Sequence, residues 1–216
     1  MVQPRPIQAL AVAAALLVPS TAFAQSCVGS GAPSGGFALN GQVTFQDGET
    51  GWGLQSAADP IGPWGFGAGF GTIDQNNVGS NWIVSDAWVA REIDRGTFAL
   101  CPRAGAVWST WSDTSGGETT EIDEWSFPLG LSLGRPLAIH GQPTIPTLEA
   151  GIQWTRLNTE GPGVGEELER VTSGTDIYLV GGLTILFDRL YARGEVRLRS
   201  DSSSSLAFRS GFGIRF

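Results

Sequence analysis

Seven charged residues stand in the middle of long runs in which apolar and polar residues alternate. They are Asp86, Arg103, Glu149, Arg193, Glu195, Arg197 and Arg209. Each occupies the polar register of its run, so a period-two structure would bring their side chains to one face. Arginine and carboxylate groups that share a face form charge-assisted hydrogen bonds. We therefore predict a charge network that fills the interior of the protein, with a weakly anion-preferring pore as the functional alternative.

Catalytic chemistry is not indicated by the sequence. His140 is the one histidine, and it stands in a predicted turn, where a solvated role is expected. No Ser, His and acid arrangement and no metal-ligand cluster is visible, so we expect no enzymatic activity, no cofactor and no metal. The net charge of -8, without a single lysine, lacks the basic footprint of a nucleic-acid-binding protein.

From Gly36 onward the chain repeats one theme, a run of about ten residues with apolar side chains at alternate positions, closed by Gly, Asp, Asn, Ser or Pro. Each such run predicts a strand. Ten strands are expected, at roughly 36–46, 51–58, 64–73, 81–93, 97–111, 122–134, 144–157, 175–187, 189–200 and 206–216. Eight strands are the alternative, if the short second run does not form a strand.

The third run has an unusual division of its two faces. Within residues 64–72, aromatic residues and an alanine fall on one face and four glycines on the other, a division that a helix would mix. Glycines contribute no side chain to fill the interior beside them. Trp82 and Trp88 share the register of Asp86 on the next strand, so we expect an indole to lie across the glycines, as in aromatic rescue.

The charged positions favour a transmembrane barrel over a soluble sandwich or a lipocalin-like barrel. A charge that faces lipid at the midplane costs about 2 to 4 kcal/mol, and the seven charged residues avoid the apolar register. With both termini in the periplasm, the short connections at 94–96 and near Asp188 face the periplasm, and the longer ones at 113–121 and 158–174 face outside. The prediction is an all-β, antiparallel, up-and-down transmembrane β-barrel. A soluble barrel with inward apolar residues is the alternative.

The first 24 residues have the layout of a secretory signal peptide, with Arg5, an apolar stretch and the small-residue run 22–24 before the cleavage point. The apolar stretch holds about ten residues, whereas a membrane-spanning helix needs about 20. We predict a signal peptide over 1–24, a periplasmic N-terminal segment over 25–35 and a barrel domain over 36–216, exported to the outer membrane.

Two cysteines, Cys27 and Cys101, make a disulfide plausible in an oxidising compartment. Cys101 falls near the periplasmic end of its strand, on the register of Arg103, and Cys27 belongs to the N-terminal segment. A bridge between them would hold residues 25–34 across or inside the barrel mouth. Two buried free thiols are the alternative.

The final run, 206–216, alternates and terminates in Phe216. It resembles the C-terminal strand by which outer-membrane barrels are recognised for assembly, and the whole mature chain resembles the small OmpA-like and OmpX-like barrel group. The resemblance implies Phe216 as part of the assembly signal. It also implies the barrel assembly machinery, outer-membrane lipid and lipopolysaccharide as partners of a monomeric protein.

Membership of a fold group does not settle function. The expected role is structural or surface-interacting, because small barrels have interiors just wide enough for side chains to fill. A small-solute, porin-like channel and a soluble periplasmic lipocalin-like binding barrel are the alternatives. Adhesion through the connection 158–174 is a further hypothesis.

Overall fold

The computed structural model describes residues 36–46, 49–59, 63–74, 81–94, 98–115, 118–160, 170–200 and 206–216. The predicted signal peptide and N-terminal segment lie outside these residues. The described part forms strands β1 (Phe37–Gln46), β2 (Glu49–Ala58), β3 (Trp64–Asp74), β4 (Asn81–Arg91), β5 (Ile93–Asp94), β6 (Ala99–Ser115), β7 (Glu118–Gly134), β8 (Leu137–Ile139), β9 (Gln142–Glu160), β10 (Arg170–Phe187), β11 (Leu190–Arg199) and β12 (Leu206–Arg215). In this part no helix is long and apolar enough to cross a membrane.

Ten of these strands close into one antiparallel barrel. The order around it is β1, β2, β3, β4, β6, β7, β9, β10, β11 and β12, and β12 pairs with β1 to complete the circle. The short strands β5 and β8 add to β6 and β9. The prediction of ten strands is confirmed and the alternative of eight is wrong, because β2 pairs along its whole length, from Phe37↔Ala58 to Gln46↔Glu49.

The outer face of the barrel is a continuous apolar band. Its exposed large side chains come from every barrel strand except β6 and include Leu39, Leu54, Phe70, Ile83, Leu129, Leu131, Ile152, Leu183, Val196 and Phe212. Trp64, Trp125 and Trp154 are also on this face and exposed, as are the aromatic residues that form girdles at the membrane interfaces of such barrels. An exposed apolar surface of this extent belongs in lipid. The soluble alternative, in which the apolar faces point inward, is therefore wrong.

Four neighbouring strands are much longer than the others. β6, β7, β9 and β10 have 17, 17, 19 and 18 residues, whereas the remaining barrel strands have 10 or 11. They project beyond the other strands at one end of the barrel, the end that the prediction of periplasmic termini places outside the cell. The predicted long loop 113–121 is therefore wrong, since only residues 116–117 separate β6 from β7. The loop 158–174 is likewise reduced to 161–169, which lie outside the described residues.

The reason for this error is physical. Period-two alternation marks a strand whose two faces have different surroundings, as in a membrane. In the projecting part of β10 the consecutive residues 171–175 are all exposed, so both faces meet water and the sequence shows no alternation there.

The connection 135–142 between β7 and β9 folds as a small hairpin. β8 pairs with the start of β9, with Ile139 opposite Gln142. The turn holds His140 at φ 50° and Gly141 at φ 79°, the left-handed conformations that a two-residue hairpin turn requires. His140 is exposed in this turn.

Candidate functional site

The seven predicted charged side chains all line one cavity in the barrel lumen. The cavity has a volume of about 180 Å³, and its walls include Asp86 from β4, Arg103 from β6, Glu149 from β9, Arg193, Glu195 and Arg197 from β11, and Arg209 from β12. Period-two geometry places all of them on the inward register. The structure thus brings together residues that are up to 123 positions apart, from 86 to 209 in the sequence.

Glu149 is the centre of the first group of contacts. Its carboxylate accepts a hydrogen bond of 2.9 Å from Arg103 Nη1 and one of 2.8 Å from the hydroxyl of Tyr178. The Arg103 guanidinium also lies over the Trp88 ring, 5.0 Å from its centroid. Glu149 is buried, and its two oxygens have different donors. This group links β4, β6, β9 and β10 across the lumen.

Glu195 is the centre of the second group. It accepts a hydrogen bond from Arg193, two residues away on the same face of β11. Arg209 stands directly opposite Glu195 on β12, with its Nη1 3.9 Å from the carboxylate. The Glu195 carboxylate therefore interacts with two arginines on the wall formed by β11 and β12.

Arg197 is held without a carboxylate. Its Nη2 donates to the side-chain oxygen of Gln153, and its guanidinium lies 4.9 Å from the centroid of the Tyr178 ring. Among the described residues no acid lies within ion-pair distance of Arg197, and its buried Nε donates no hydrogen bond. Cation–π contact stabilises the charge only in part.

The glycine face of β3 is covered by side chains from β4. A Cβ added to Gly67 would overlap the Trp88 indole, and one added to Gly69 would overlap the Asp86 carboxylate. The expected indole across the glycines is confirmed, and it is Trp88. Trp82 instead stacks on Trp111, with ring centroids 4.1 Å apart.

Sequence reasoning missed Tyr178 and Gln153 as members of the site. Both are buried and both stand on the polar register of their strands. The available signal was their two-residue spacing from other inward positions, together with the hydroxyl that a buried tyrosine must satisfy. What the sequence does not give is which arginine each of them contacts.

Cys101 is fully buried near the periplasmic end of β6 and is not a free thiol. Its predicted partner, Cys27, lies outside the described residues, so the pairing stays a prediction. Within the described part of the chain, no group of three or more potential metal ligands comes together.

The disulfide can be tested by alkylation of the denatured protein. Without reductant, we expect neither cysteine to be labelled, because the bridge survives denaturation, and after reduction we expect both to be labelled. Mass spectrometry gives the count. A Cys101→Ser variant is the control, since Cys27 should then be labelled without reductant. Labelling of both thiols in the unreduced wild-type chain would end the idea.

No family model and no curated protein matches the chain. The translocator domain of the autotransporter NalP from Neisseria meningitidis is 14% identical, with 98% of this chain and 95% of that chain covered and a TM-score of 0.46. The N-terminal β-barrel domain of Pseudomonas aeruginosa OprF is 10% identical, with 84% and 97% covered and a TM-score of 0.41. The outer membrane protein Omp33 of Acinetobacter baumannii is 8% identical, with 84% and 98% covered and a TM-score of 0.34. The likeness concerns the fold alone and carries no argument about the lumen.

Proposed function

We propose that this chain, a transmembrane β-barrel of the outer-membrane type, serves a structural and surface-interacting role as a monomer, without catalytic activity and with a lumen closed to solutes. The observation that carries the proposal is the set of side-chain bonds inside the lumen. Arg103 reaches Glu149 from β6 to β9, and Arg197 reaches Gln153 from β11 to β9. Each pair joins two strands with one strand between them, β7 in the first case and β10 in the second, so these side chains extend into the lumen and occupy it.

These bonds are costly to displace. A solute that passes the lumen has to separate charged groups that are buried among each other, and removing one partner of such a pair leaves an uncompensated charge. The remaining cavity of about 180 Å³ is a widening between the two groups of contacts. A filled interior is the ordinary state of small barrels.

The surface role is supported by the two outer features of the barrel. The apolar band and the exposed indoles of Trp64, Trp125 and Trp154 fit outer-membrane lipid and lipopolysaccharide as its surroundings. The projecting wall of β6, β7, β9 and β10 offers a surface beyond the membrane where a partner could be met. For the barrel assembly machinery, the support is the closing strand: Phe216 and Phe37 exchange backbone hydrogen bonds of 2.8 and 3.3 Å at the seam.

Conductance in planar bilayers tests the closed lumen. We expect the refolded wild-type barrel to give no steady, voltage-insensitive channels. An Arg103→Ala/Arg197→Ala variant should conduct, because it removes two long side chains that occupy the lumen. Heat-dependent gel mobility shows for each protein that the barrel is folded. Steady channels from the wild type would overturn the proposal.

A small-solute pore is the second candidate, and the charge of the cavity favours it. Four arginines and three carboxylates line the cavity, so a lumen that did open would select weakly for anions. The reversal potential in asymmetric KCl gives the sign of this selectivity. This measurement is made on the Arg103→Ala/Arg197→Ala variant or, if the wild type conducts, on the wild type itself.

A further inference from the structure

We infer that the lumen cavity is a binding site for one small anion, a carboxylate or inorganic phosphate, held between Arg197 and Arg209. This inference goes beyond the closed lumen, since a bound anion is compatible with a barrel that conducts and with one that does not. Three observations support it: a local excess of positive charge, a hydrogen-bond donor of Arg197 without an acceptor among the described residues, and the cavity that these arginines line.

The excess of charge is concentrated on β11 and β12. Arg193, Arg197 and Arg209 surround the single carboxylate of Glu195, because Arg209 stands opposite Glu195 and Arg197 is the next inward residue along β11. Glu149 is already bound to Arg103 and Tyr178. Arginine stays protonated in proteins, so this wall keeps more positive than negative charge.

Asp86 does not remove the excess. Its carboxylate lies against Gly69 on the wall of β3 and β4, and in the described part of the chain it has no ion-pair partner within 4.0 Å. β4 and β11 are five places apart in the circle of ten strands, and so face each other across the lumen. Even with Asp86 counted, four arginines face three carboxylates around the cavity. A buried charge without a partner is costly, so buried charges are normally paired.

Arg197 has the donor that a small oxyanion needs. Its Nη2 is used by Gln153, whereas its buried Nε donates to no atom of the described residues. The guanidinium presents its N–H groups in a rigid planar fork that matches carboxylate and phosphate geometry. The Tyr178 ring lies against the guanidinium and limits the directions in which it can move.

The cavity is large enough for the ligand and too small for a bulky one. Its volume of about 180 Å³ is several times the roughly 30 Å³ that a water molecule occupies in the liquid. A phosphate or a short carboxylate with one or two waters fits such a space. Large organic sulfonates do not fit. A comparison of phosphate with such a sulfonate therefore distinguishes binding in the cavity from general screening of charges by salt.

The test is the thermal unfolding of the refolded full-length chain, followed by the change in gel mobility on heating. Because a ligand that binds only the folded state raises its stability, inorganic phosphate should raise the wild-type midpoint more than a bulky sulfonate does at equal ionic strength. Arg197→Gln should weaken the apparent phosphate affinity about tenfold or more, since it removes a charged hydrogen-bond donor.

Arg199→Gln is the matched control. Arg199 is on the same face of β11, two residues from Arg197, but it pairs with Asp176 at 3.9 Å and is not part of the cavity wall. The phosphate effect should persist in this variant. If Arg197→Gln does not refold, Arg209→Gln provides the same comparison. An equal midpoint shift for phosphate and sulfonate, or an unchanged shift in both the Arg197 and the Arg209 variants, would overturn the inference whatever the conductance shows.

Discussion

Replacement of Glu149 with alanine is expected to destabilise the barrel by about 3 kcal/mol. The change leaves the Arg103 guanidinium without its carboxylate and the Tyr178 hydroxyl without its acceptor. This destabilisation is at the lower end of the range for a broken buried ion pair. The Arg103 side chain is 26% exposed, so its charge remains partly hydrated. Urea-induced unfolding of the barrel refolded into lipid vesicles measures the free energy.

The same experiment shows whether the loss comes from the charge left behind. An Arg103→Met/Glu149→Leu double variant removes both charges and keeps apolar volume, so it should recover most of the stability. A double-mutant cycle between the two positions gives their coupling energy. A double variant as unstable as Glu149→Ala would contradict this account, because the loss would then come from packing volume or from the unpaired Tyr178 hydroxyl and not from the charge.

Replacement of Gly67 with alanine should cost about 2 kcal/mol, within the range for overpacking in a well-packed interior. The added Cβ overlaps the Trp88 indole. That indole is confined, because the Arg103 guanidinium lies over its ring, 5.0 Å from the centroid. Unfolding in urea again provides the measurement.

Two further variants test whether the contact with Trp88 causes the loss of stability in Gly67→Ala. Gly181→Ala is the control, since an added Cβ meets no described atom within 4 Å there, and its stability should hardly change. Trp88→Ala should make the Gly67→Ala substitution nearly neutral when the two are combined. If Gly67→Ala is as harmful without the indole, the contact with Trp88 is not its cause.

The architecture was predictable because the membrane imposes a rule on every residue of a spanning strand. One face has to be apolar and the other can be polar, so alternation predicted ten strands and placed the aromatic residues of the range 64–72 on one face. Where the strands leave the lipid, this rule ends. The ends of β6, β7, β9 and β10 were therefore assigned to loops, although the structure pairs them up to Glu118 and Glu160.

The glycine face of β3 was predictable for a related reason. Four glycines on an inward register leave a space that the neighbouring strand has to fill. The sequence offered Trp82 and Trp88 equally, and the structure selects Trp88 because its register puts it opposite Gly67.

By itself, the sequence determined that seven charged residues share the inside of a barrel, since position along a strand fixes the face of each side chain. It did not determine their partners. Glu149 binds Arg103 and Tyr178, Glu195 binds Arg193, and Arg197 is left with an amide and an aromatic ring. Those choices depend on the stagger between strands and on distances across the lumen, which exist only once the barrel has closed.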